Sequence, residues 1–359
     1  MSDYRAGEER LDRQLEPAVS ALKTGGHGKF VAAVLVACFA LLTSVLALNV
    51  LVDPFALAGT GLLPAAVETD RSIKLNLIEE LPRNPEILIL GSSRARQAEP
   101  SFLKRLTGHT GFNAAVTGGT AADGWVMTRY AADRFPHARR RYLWFVESGI
   151  ATNGINPQLS EDPRASRYLA GKSVQFGLHQ VGEYISLQAT RASLRVIKAC
   201  VVGTCKTRVR YRADGSIAEP TLKYLPEHAR SLRRSVAKLV ASIKSRPPRH
   251  PNVNPARYEF FEKALAFMNK HGARPVIVLN PIHPKVLAAL RERGFPAHKA
   301  SLAYLHALHR RFDFVVVDCQ DIRRWGGSSQ DFANATHVNL HNMRRMLRYI
   351  VAHSEGALN

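Results

Sequence analysis

The stretch that decides the fold of this chain is EILILGSSRARQ, residues 86–97, where an apolar run stops abruptly at a Gly-Ser-Ser-Arg turn. A short apolar run bounded by a glycine is typical of a strand buried on both faces. Two hydroxyl groups and a guanidinium follow this strand at its carboxyl end, which is where ligands bind in an open parallel sheet. The stretch therefore predicts a buried strand that leads into a binding or catalytic site.

Apolar runs of the same kind alternate with helical patterns along the rest of the chain. The runs predicted as strands are 86–91, 111–116, 141–148, 274–280 and 312–319, and helical patterns lie around 120–134, 255–271, 297–310 and 339–353. Continuous apolar strands that alternate with helices predict an α/β fold with a parallel sheet covered on both faces. Residues 157–250 interrupt this pattern, and we interpret them as an insertion or cap.

A second segment, FVAAVLVACFALLTSVLAL at residues 30–48, carries neither a charge nor a proline. At about 1.5 Å per residue it is long enough to cross a hydrocarbon core of about 30 Å. Lys23 and Lys29 precede it and the first charge after it is Asp53, so the positive-inside rule predicts a cytoplasmic N-terminus. We favour an uncleaved signal anchor over a cleaved signal peptide, whose best small-x-small site, at 56–58, comes late.

These segments predict the organisation of the whole chain. We expect a cytoplasmic tail at 1–29, a transmembrane signal anchor at 30–52, a connector at 53–80 and an α/β domain at 81–353 that contains the insertion. The predicted location is a bacterial inner membrane, crossed once, with the α/β domain in the periplasm.

The chain is strongly basic, with 50 Lys and Arg against 29 Asp and Glu and a net charge of +21. Such a charge favours an anionic partner such as lipid headgroups or an acidic glycan. We do not expect nucleic acid as the partner, because no basic region matches a known nucleic-acid-binding module. Inner-membrane lipid and a cell-envelope glycan or other anionic polymer remain as the expected partners.

The four cysteines fit an oxidising compartment. Cys200 and Cys205 enclose a short loop and are predicted to form a disulfide in a periplasmic domain, with two unpaired thiols as the alternative. Cys38 and Cys319 lie in apolar runs and are interpreted as packing thiols. No second Cys/His pair sits at the spacing of a zinc site, so we expect neither a metal nor a cofactor.

Candidate catalytic residues lie far apart in the sequence but at corresponding places in the predicted fold. Asn113 and Gly118 lie at the same edge of the second strand, and Asp331 and His337 precede the last helix. A serine after a strand, a histidine and an acid form the minimal set for nucleophilic acyl transfer, in which histidine takes the serine proton and the acid orients the imidazole. The sequence therefore predicts serine-dependent acyl chemistry at the Gly-Ser-Ser turn.

Several motifs resemble those of the SGNH/GDSL hydrolase-like superfamily, in particular membrane-anchored bacterial members of the DltD-like and alginate-acetylation type. The motifs are NVLVDPF, LILGSSR, FNAAVTGG, VLNPIHP and THVN, which lie within residues 49–155 and 255–353. The resemblance implies a three-layer α/β/α sandwich with a mainly parallel, five-stranded, flavodoxin-like sheet. It also implies that Ser93 is the nucleophile, that Gly118 donates an oxyanion N–H and that His337 is the base.

Two departures from the motifs of this superfamily leave roles open. The superfamily has Asp-x-x-His where this chain has Asn334 three residues before His337, so the orienting group is either Asp331, Asn334 acting as an amide, or the more distant Asp321. The expected oxyanion asparagine after the third strand also lacks its usual sequence context. Asn153 and Asn156 are the two candidates for that role.

Three further side chains are candidates for substrate binding at this edge of the sheet. Arg94 follows the nucleophile, Asn113 lies in the second strand near its edge and His283 follows the fourth strand. Each has a plainer structural interpretation: an ion pair between Arg94 and a neighbouring loop, an ordinary turn after the second strand, and a loop histidine at His283. Ser92 is expected to cap a helix that starts at the Gly-Ser-Ser turn.

The function that these observations favour is that of a membrane-anchored serine acyltransferase or esterase acting on O-acyl, chiefly O-acetyl, groups of an envelope polysaccharide. The resemblance further implies a membrane-bound O-acyltransferase as a partner. The alternative is a catalytically degenerate SGNH domain that binds glycan or assists assembly, and a weaker one is a phosphate-binding flavodoxin-like module.

Overall fold

The elements of the fold follow the predicted alternation of strands and helices. A computed structural model describes residues 26–54, 63, 70–147, 155–169, 187–203, 211–218, 226–245 and 258–359. Its strands are β1 (Ile87–Leu90), β2 (Gly111–Asn113), β3 (Arg141–Val146), β4 (Val276–Leu279) and β5 (Val315–Asp318).

The described helices comprise four groups along the chain. Before the sheet come α1 (Gly26–Val52) and α2 (Asp70–Glu80), and between the first three strands come α3 (Pro100–Thr107) and α4 (Ala121–Arg134). The predicted insertion contributes α5 (Pro157–Glu161), α6 (Pro163–Ser166), α7 (Leu187–Val201) and α8 (Pro226–Ser245). The last group is α9 (Glu259–Lys270), α10 (Pro284–Glu292), α11 (Pro296–Leu308) and α12 (Leu340–Ala352).

The five strands form one sheet in the order β2-β1-β3-β4-β5, with every pair parallel. This is the flavodoxin-like order of a doubly wound sheet. The chain reverses its direction of winding between β1 and β3, and the loops that follow these two strands diverge there. A crevice therefore forms at the carboxyl ends of β1 and β3, directly after Leu90 and Val146.

Alternate side chains of β1 enter two separate apolar cores, one on each face of the sheet. Leu88 and Leu90 pack into a cluster formed with α2, α4, α9 and α11. Ile87 and Ile89 pack into a second cluster formed with α3, α8, α10 and α12. This alternation confirms the three-layer α/β/α sandwich, since a strand buried on both faces needs apolar residues at every position.

Helix α2 lies within the segment predicted as a connector, and three of its charged residues, Asp70, Arg71 and Lys74, are buried. Arg71 forms an ion pair of 2.7 Å with Asp123 on α4. The carboxylate of Asp70 accepts hydrogen bonds from the backbone N–H and the hydroxyl of Thr117. These contacts attach α2 to the loop between β2 and α4, so residues 70–80 are an integral part of the sandwich.

Lys74, also on α2, is fully buried and joins α2 to two other segments. Its Nζ donates to the backbone oxygens of Asn113 at 2.6 Å and Gly215 at 2.5 Å and lies 4.0 Å from the centre of the Tyr211 ring. Burial lowers the pKa of Lys74 to about 7. The ammonium or amine nitrogen thus satisfies two carbonyl groups that no water reaches.

We expect Lys74→Ala to destabilise the α/β domain by about 3 kcal/mol, because it leaves two buried carbonyl groups without a donor and opens a cavity. Thermal unfolding of the detergent-solubilised chain, followed by circular dichroism, measures the effect as a lowered Tm. The matched control is Lys104→Ala, which removes an exposed lysine. Equal melting temperatures for the two variants would show that the buried contacts of Lys74 contribute nothing.

The predicted insertion at 157–250 does not form one body. The chain divides into two units, and residues 187–203 belong with 26–54 and 63, whereas the other described residues form the second unit. Within that second unit, Trp125 of α4 donates to the backbone oxygen of Tyr168 at 2.9 Å. Helix α8 buries Leu232 and Val236 in the core. The parts of the insertion therefore have separate structural roles.

The first unit contains a helix that is long and apolar enough to span a membrane. Residues 28–52 have a mean hydropathy of 2.7, and none of their most apolar stretch is buried within the protein. Of the cysteines, Cys38 is exposed and Cys319 is buried, both as free thiols. Cys200 is disulfide-bonded, and its predicted partner, Cys205, lies outside the described residues.

Candidate active site

The turn after β1 places Ser93 at the edge of the sheet. Gly91 has a φ of 146°, and a Cβ there would lie 2.9 Å from the backbone oxygen of Phe145, so only glycine fits beside β3. The chain then makes successive turns and begins α3 only at Pro100. The prediction of a helix starting at the Gly-Ser-Ser turn is therefore wrong. Ser92 accepts from the Arg94 N–H at 3.3 Å but caps no helix.

Ser93 and His337 meet although 244 residues separate them in the chain. The Oγ of Ser93 lies 2.8 Å from Nε2 of His337, which is the distance of a hydrogen bond between a nucleophile and its general base. Ser93 follows β1, and His337 lies in the loop before α12. Both side chains are partly buried, so the contact is only partly exposed to solvent.

The imidazole is oriented by Asn334. Its Oδ1 accepts from the backbone N–H groups of Thr336 at 2.9 Å and His337 at 3.0 Å, and lies 3.0 Å from Nδ1 of the His337 ring. Two backbone donors identify this atom as the amide oxygen, because the amide nitrogen accepts nothing. Nδ1 must therefore carry the ring hydrogen. That tautomer leaves the lone pair of Nε2 directed at the Ser93 hydroxyl.

The two aspartates proposed for the orienting role lie elsewhere. The oxygens of Asp331 contact Nη1 of Arg345 at 2.6 Å and Nδ2 of Asn339 at 3.0 Å, so Asp331 stabilises the start of α12. Asp321 accepts from the backbone and guanidinium of Arg323. Of the three alternatives, only Asn334 contacts the ring, and the assignment of Asp331 to the catalytic set is corrected accordingly.

The electrostatic environment keeps His337 neutral. Its pKa is lowered to about 4, chiefly by burial and then by the positive charges of Arg94 and Arg96. An amide partner supplies no negative charge to oppose this shift. His337 is therefore unprotonated, and able to act as a base, at all pH values above about 4 to 5.

We expect the rate of ester cleavage to be insensitive to pH between 8 and 5 and to fall only as the pH approaches 4. The rate falls when Nε2 is protonated, because the imidazolium cannot take a proton from serine. A histidine with an unperturbed pKa would give this fall near pH 6.5. The measurement is kcat/KM against pH with a chromogenic acetyl ester, with circular dichroism at each pH to confirm folding. Arg94→Gln removes one nearby positive charge and should raise the inflection. An inflection of kcat/KM between pH 6 and 7 in the unmodified chain would contradict the assignment of His337, with its lowered pKa, as the base.

The loop after β2 lies directly against the turn at residues 91–94, the predicted nucleophile turn. The backbone N–H of Val116 donates to the oxygen of Gly91 at 3.1 Å, and a Cβ on Gly119 would lie 2.4 Å from that same oxygen. Within the described part of the chain, the N–H groups of Ser93 and Gly118 have no acceptor. Two free N–H groups on adjacent loops are suited to bind a developing oxyanion.

The third oxyanion donor predicted from the sequence stays a prediction. The side-chain oxygen of Asn156 caps α5 and accepts from the backbone N–H of Gln158 at 3.1 Å, whereas an oxyanion donor would use the amide nitrogen. Asn153 lies outside the described residues.

Glu147, which the sequence interpretation missed, occupies the end of β3 beside the nucleophile turn. Its carboxylate accepts from Ser92 Oγ at 2.9 Å and forms an ion pair of 2.7 Å with Nη1 of Arg94. Asn280, at the end of β4, donates to it at 3.4 Å. Arg94 thus makes the ion pair given as its alternative role, and this pair fixes both neighbours of Ser93. The sequence signal that could have identified Glu147 is its position as the first polar residue after an apolar run.

Two candidate substrate-binding residues have structural roles instead. Asn113 is fully buried, and its amide donates to the backbone oxygens of Ala95 and Ala98 while its oxygen accepts from the Ala115 N–H. It therefore ties the nucleophile turn to β2. His283 caps α10 by accepting from the Lys285 N–H at 3.3 Å, and its ring packs edge-on against Phe332. Both assignments to substrate binding are corrected.

Among the described residues, no group of three or more His, Cys, Asp and Glu side chains is placed to hold a metal ion. No family model matches the chain, and no curated protein matches it. The likeness to the SGNH/GDSL superfamily stays a prediction. The geometry of the site is therefore the main support for a functional proposal.

Proposed function

We propose that this chain is a serine-dependent acyltransferase or esterase whose catalytic residues are Ser93, His337 and Asn334. The observation that supports this most strongly is the continuous hydrogen-bonded series from Ser93 Oγ to His337 Nε2 and from Nδ1 to Asn334 Oδ1. Serine, an oriented neutral imidazole and free backbone donors are the groups that acyl transfer needs. Asn334 replaces the usual carboxylate, as an amide does in cysteine proteases of the papain type.

The proposed reaction proceeds in two balanced steps. His337 Nε2 takes the hydroxyl proton of Ser93 as Oγ bonds to the acyl carbonyl carbon, and the N–H groups of Ser93 and Gly118 stabilise the oxyanion. The imidazolium returns that proton to the leaving alkoxide as the tetrahedral intermediate collapses. An acceptor hydroxyl then attacks the acyl-serine with the same proton transfers, which frees Ser93. The acceptor is a sugar in the transferase reaction and water in the esterase reaction.

The proposed substrate is an O-acylated, chiefly O-acetylated, polysaccharide of the cell envelope. This assignment rests on the motif resemblance, on the apolar helix suited to membrane anchoring and on the net charge of +21. We place the catalytic domain in the periplasm beside the inner membrane, with a membrane-bound O-acyltransferase as the acyl supplier.

A binding or assembly role without catalysis is the second candidate. The observation that favours it is the amide at position 334, since an amide stabilises an imidazolium less than a carboxylate does. In that case the Arg94–Glu147 pair and the basic surface would recognise glycan, and Ser93 would take no part in covalent chemistry.

A fluorophosphonate probe separates the two candidates because it reacts only with an activated serine. We expect the full-length chain in detergent to be labelled at Ser93, identified by mass spectrometry of the modified peptide. His337→Ala should abolish labelling, and Ser101→Ala, at an exposed site on α3, should leave it unchanged. Failure of the folded protein to label would favour the binding role.

A further inference from the structure

Helix α7 in the first unit presents a small and largely apolar face to α1. The described residues of this face are buried: Ala189, Ala192, Ser193 and Val196. Helix α7 contacts α1, and the small side chains let the two backbones approach closely. The position of α7 is therefore set by the helix that has the length and hydropathy of a membrane span.

A buried polar contact fixes the level at which the two helices meet. Asn49 of α1 is fully buried, donates to Thr190 Oγ1 at 3.1 Å and accepts from Ser193 Oγ at 2.7 Å. The uncharged apolar run of α1, residues 30–48, ends immediately before Asn49. At about 1.5 Å per residue this run fills about 28 Å of hydrocarbon. Asn49, and α7 with it, would therefore lie at the boundary between acyl chains and headgroups.

The opposite side of α7 carries two parallel stripes. Apolar side chains at Leu194 and Val201 are 56% and 83% exposed. The basic residues Arg191, Arg195 and Lys198 are also exposed and follow one another at helical spacing. Residues 187–203 contain no acidic side chain. An apolar stripe beside a basic one is the pattern of a helix that lies in a membrane interface.

We propose that α7 is a second membrane-binding element, which lies in the headgroup region beside α1 and binds anionic phospholipid. Leu194 and Val201 enter the acyl boundary, and the three basic side chains bind phosphodiester groups. A soluble polyanion would satisfy the charges but would leave the apolar stripe in water. A second copy of this chain would place like charges together. The proposal does not depend on the acyl-transfer chemistry.

The depth of α7 is measured with the full-length chain in lipid nanodiscs. In a Cys38→Ser background, spin labels are placed by Leu194→Cys, by Leu42→Cys within the apolar run and by Ser101→Cys on the exposed surface of α3. We expect the label at position 194 to show an accessibility to oxygen and to a nickel chelate between those of the two references. A label at 194 as accessible to nickel as that at 101 would overturn the proposal. A label shielded from both reagents would also overturn it and would indicate a protein partner.

The choice of lipid is measured by the phosphatidylglycerol that the purified chain retains from a mixture with phosphatidylcholine. We expect the phosphatidylglycerol enrichment to fall at least about fivefold in the triple variant Arg191→Gln, Arg195→Gln and Lys198→Gln. A fivefold change corresponds to the contribution of about one surface charge. The matched control is the triple Lys270→Gln, Lys299→Gln and Arg310→Gln, which removes three exposed charges from the other unit. Equal retention by the two triples would exclude α7 as the lipid site.

Discussion

Ser93→Ala should lower kcat for ester cleavage or acyl transfer by about 10⁴-fold or more, with KM little changed. The substitution removes the atom that bonds to the acyl carbon in the proposed reaction, and the free N–H groups alone would retain a small part of the acceleration. The measurement is turnover of a chromogenic acetyl ester by the purified, folded variant. His337→Ala should cost about as much, and the double variant little more, because the two residues act as one unit.

Ser92→Ala is the matched control for this result. Ser92 is adjacent in sequence, equally a serine, and hydrogen-bonds Glu147 at 2.9 Å instead of the imidazole. We expect its loss to cost no more than about tenfold, through a less well-held Arg94. If Ser92→Ala abolished turnover while Ser93→Ala kept it, the assignment of the nucleophile would be wrong. If neither changed turnover, the activity would come from another source.

The sheet was predictable chiefly from β1, β3 and β4, whose apolar runs end in a glycine or a polar residue. Those runs are buried on both faces, so neither face contributes polar residues that would blur the pattern. Ser93 and His337 were predictable for the same reason, since both lie just outside such regular elements. The strands are shorter than their apolar runs, as at β5, where the run 312–319 pairs only over Val315–Asp318.

Helix α2 was not recognised because three of its five buried residues are charged. Asp70, Arg71 and Lys74 lie in the segment predicted as a connector, yet each is paired inside the protein. A buried ion pair leaves no hydrophobic periodicity to detect. Only the arrangement of α4 and β2 supplies the partners, and that arrangement is a property of the tertiary structure.

The choice between Asp331 and Asn334 also depended on local backbone geometry. An acid is the stronger candidate on chemistry alone, and both residues precede His337 within six positions. What decides is the turn at 334–337, in which the backbone N–H groups of Thr336 and His337 converge on one amide oxygen. That oxygen is thereby held 3.0 Å from the ring. No pattern in this part of the sequence predicts the turn at 334–337.

Asn334→Ala should reduce kcat by about 100- to 1000-fold, because Nδ1 of the imidazole loses the amide oxygen and is left with the rotatable hydroxyl of Thr336, which lies 3.0 Å away and can donate as well as accept. Asn334→Asp is the informative companion, since a carboxylate accepts the same hydrogen bonds and adds a negative charge. That charge favours the imidazolium, so the pKa of His337 should rise from about 4 by one unit or more. The measurement is kcat/KM against pH for both variants beside the unmodified chain.

The Asp variant should therefore keep substantial activity at pH 8 and lose it at a higher pH than the unmodified chain does. The acid limb of its kcat/KM profile moves to higher pH. A histidine with a raised pKa is protonated at pH values where the ring of the unmodified chain is neutral, and a protonated ring cannot act as a base. Asn342→Asp is a suitable control, since it adds the same charge at a buried asparagine of α12 that contacts Ser328 and not the imidazole. An unchanged limb in Asn334→Asp, or full activity in Asn334→Ala, would mean that position 334 does not orient the base.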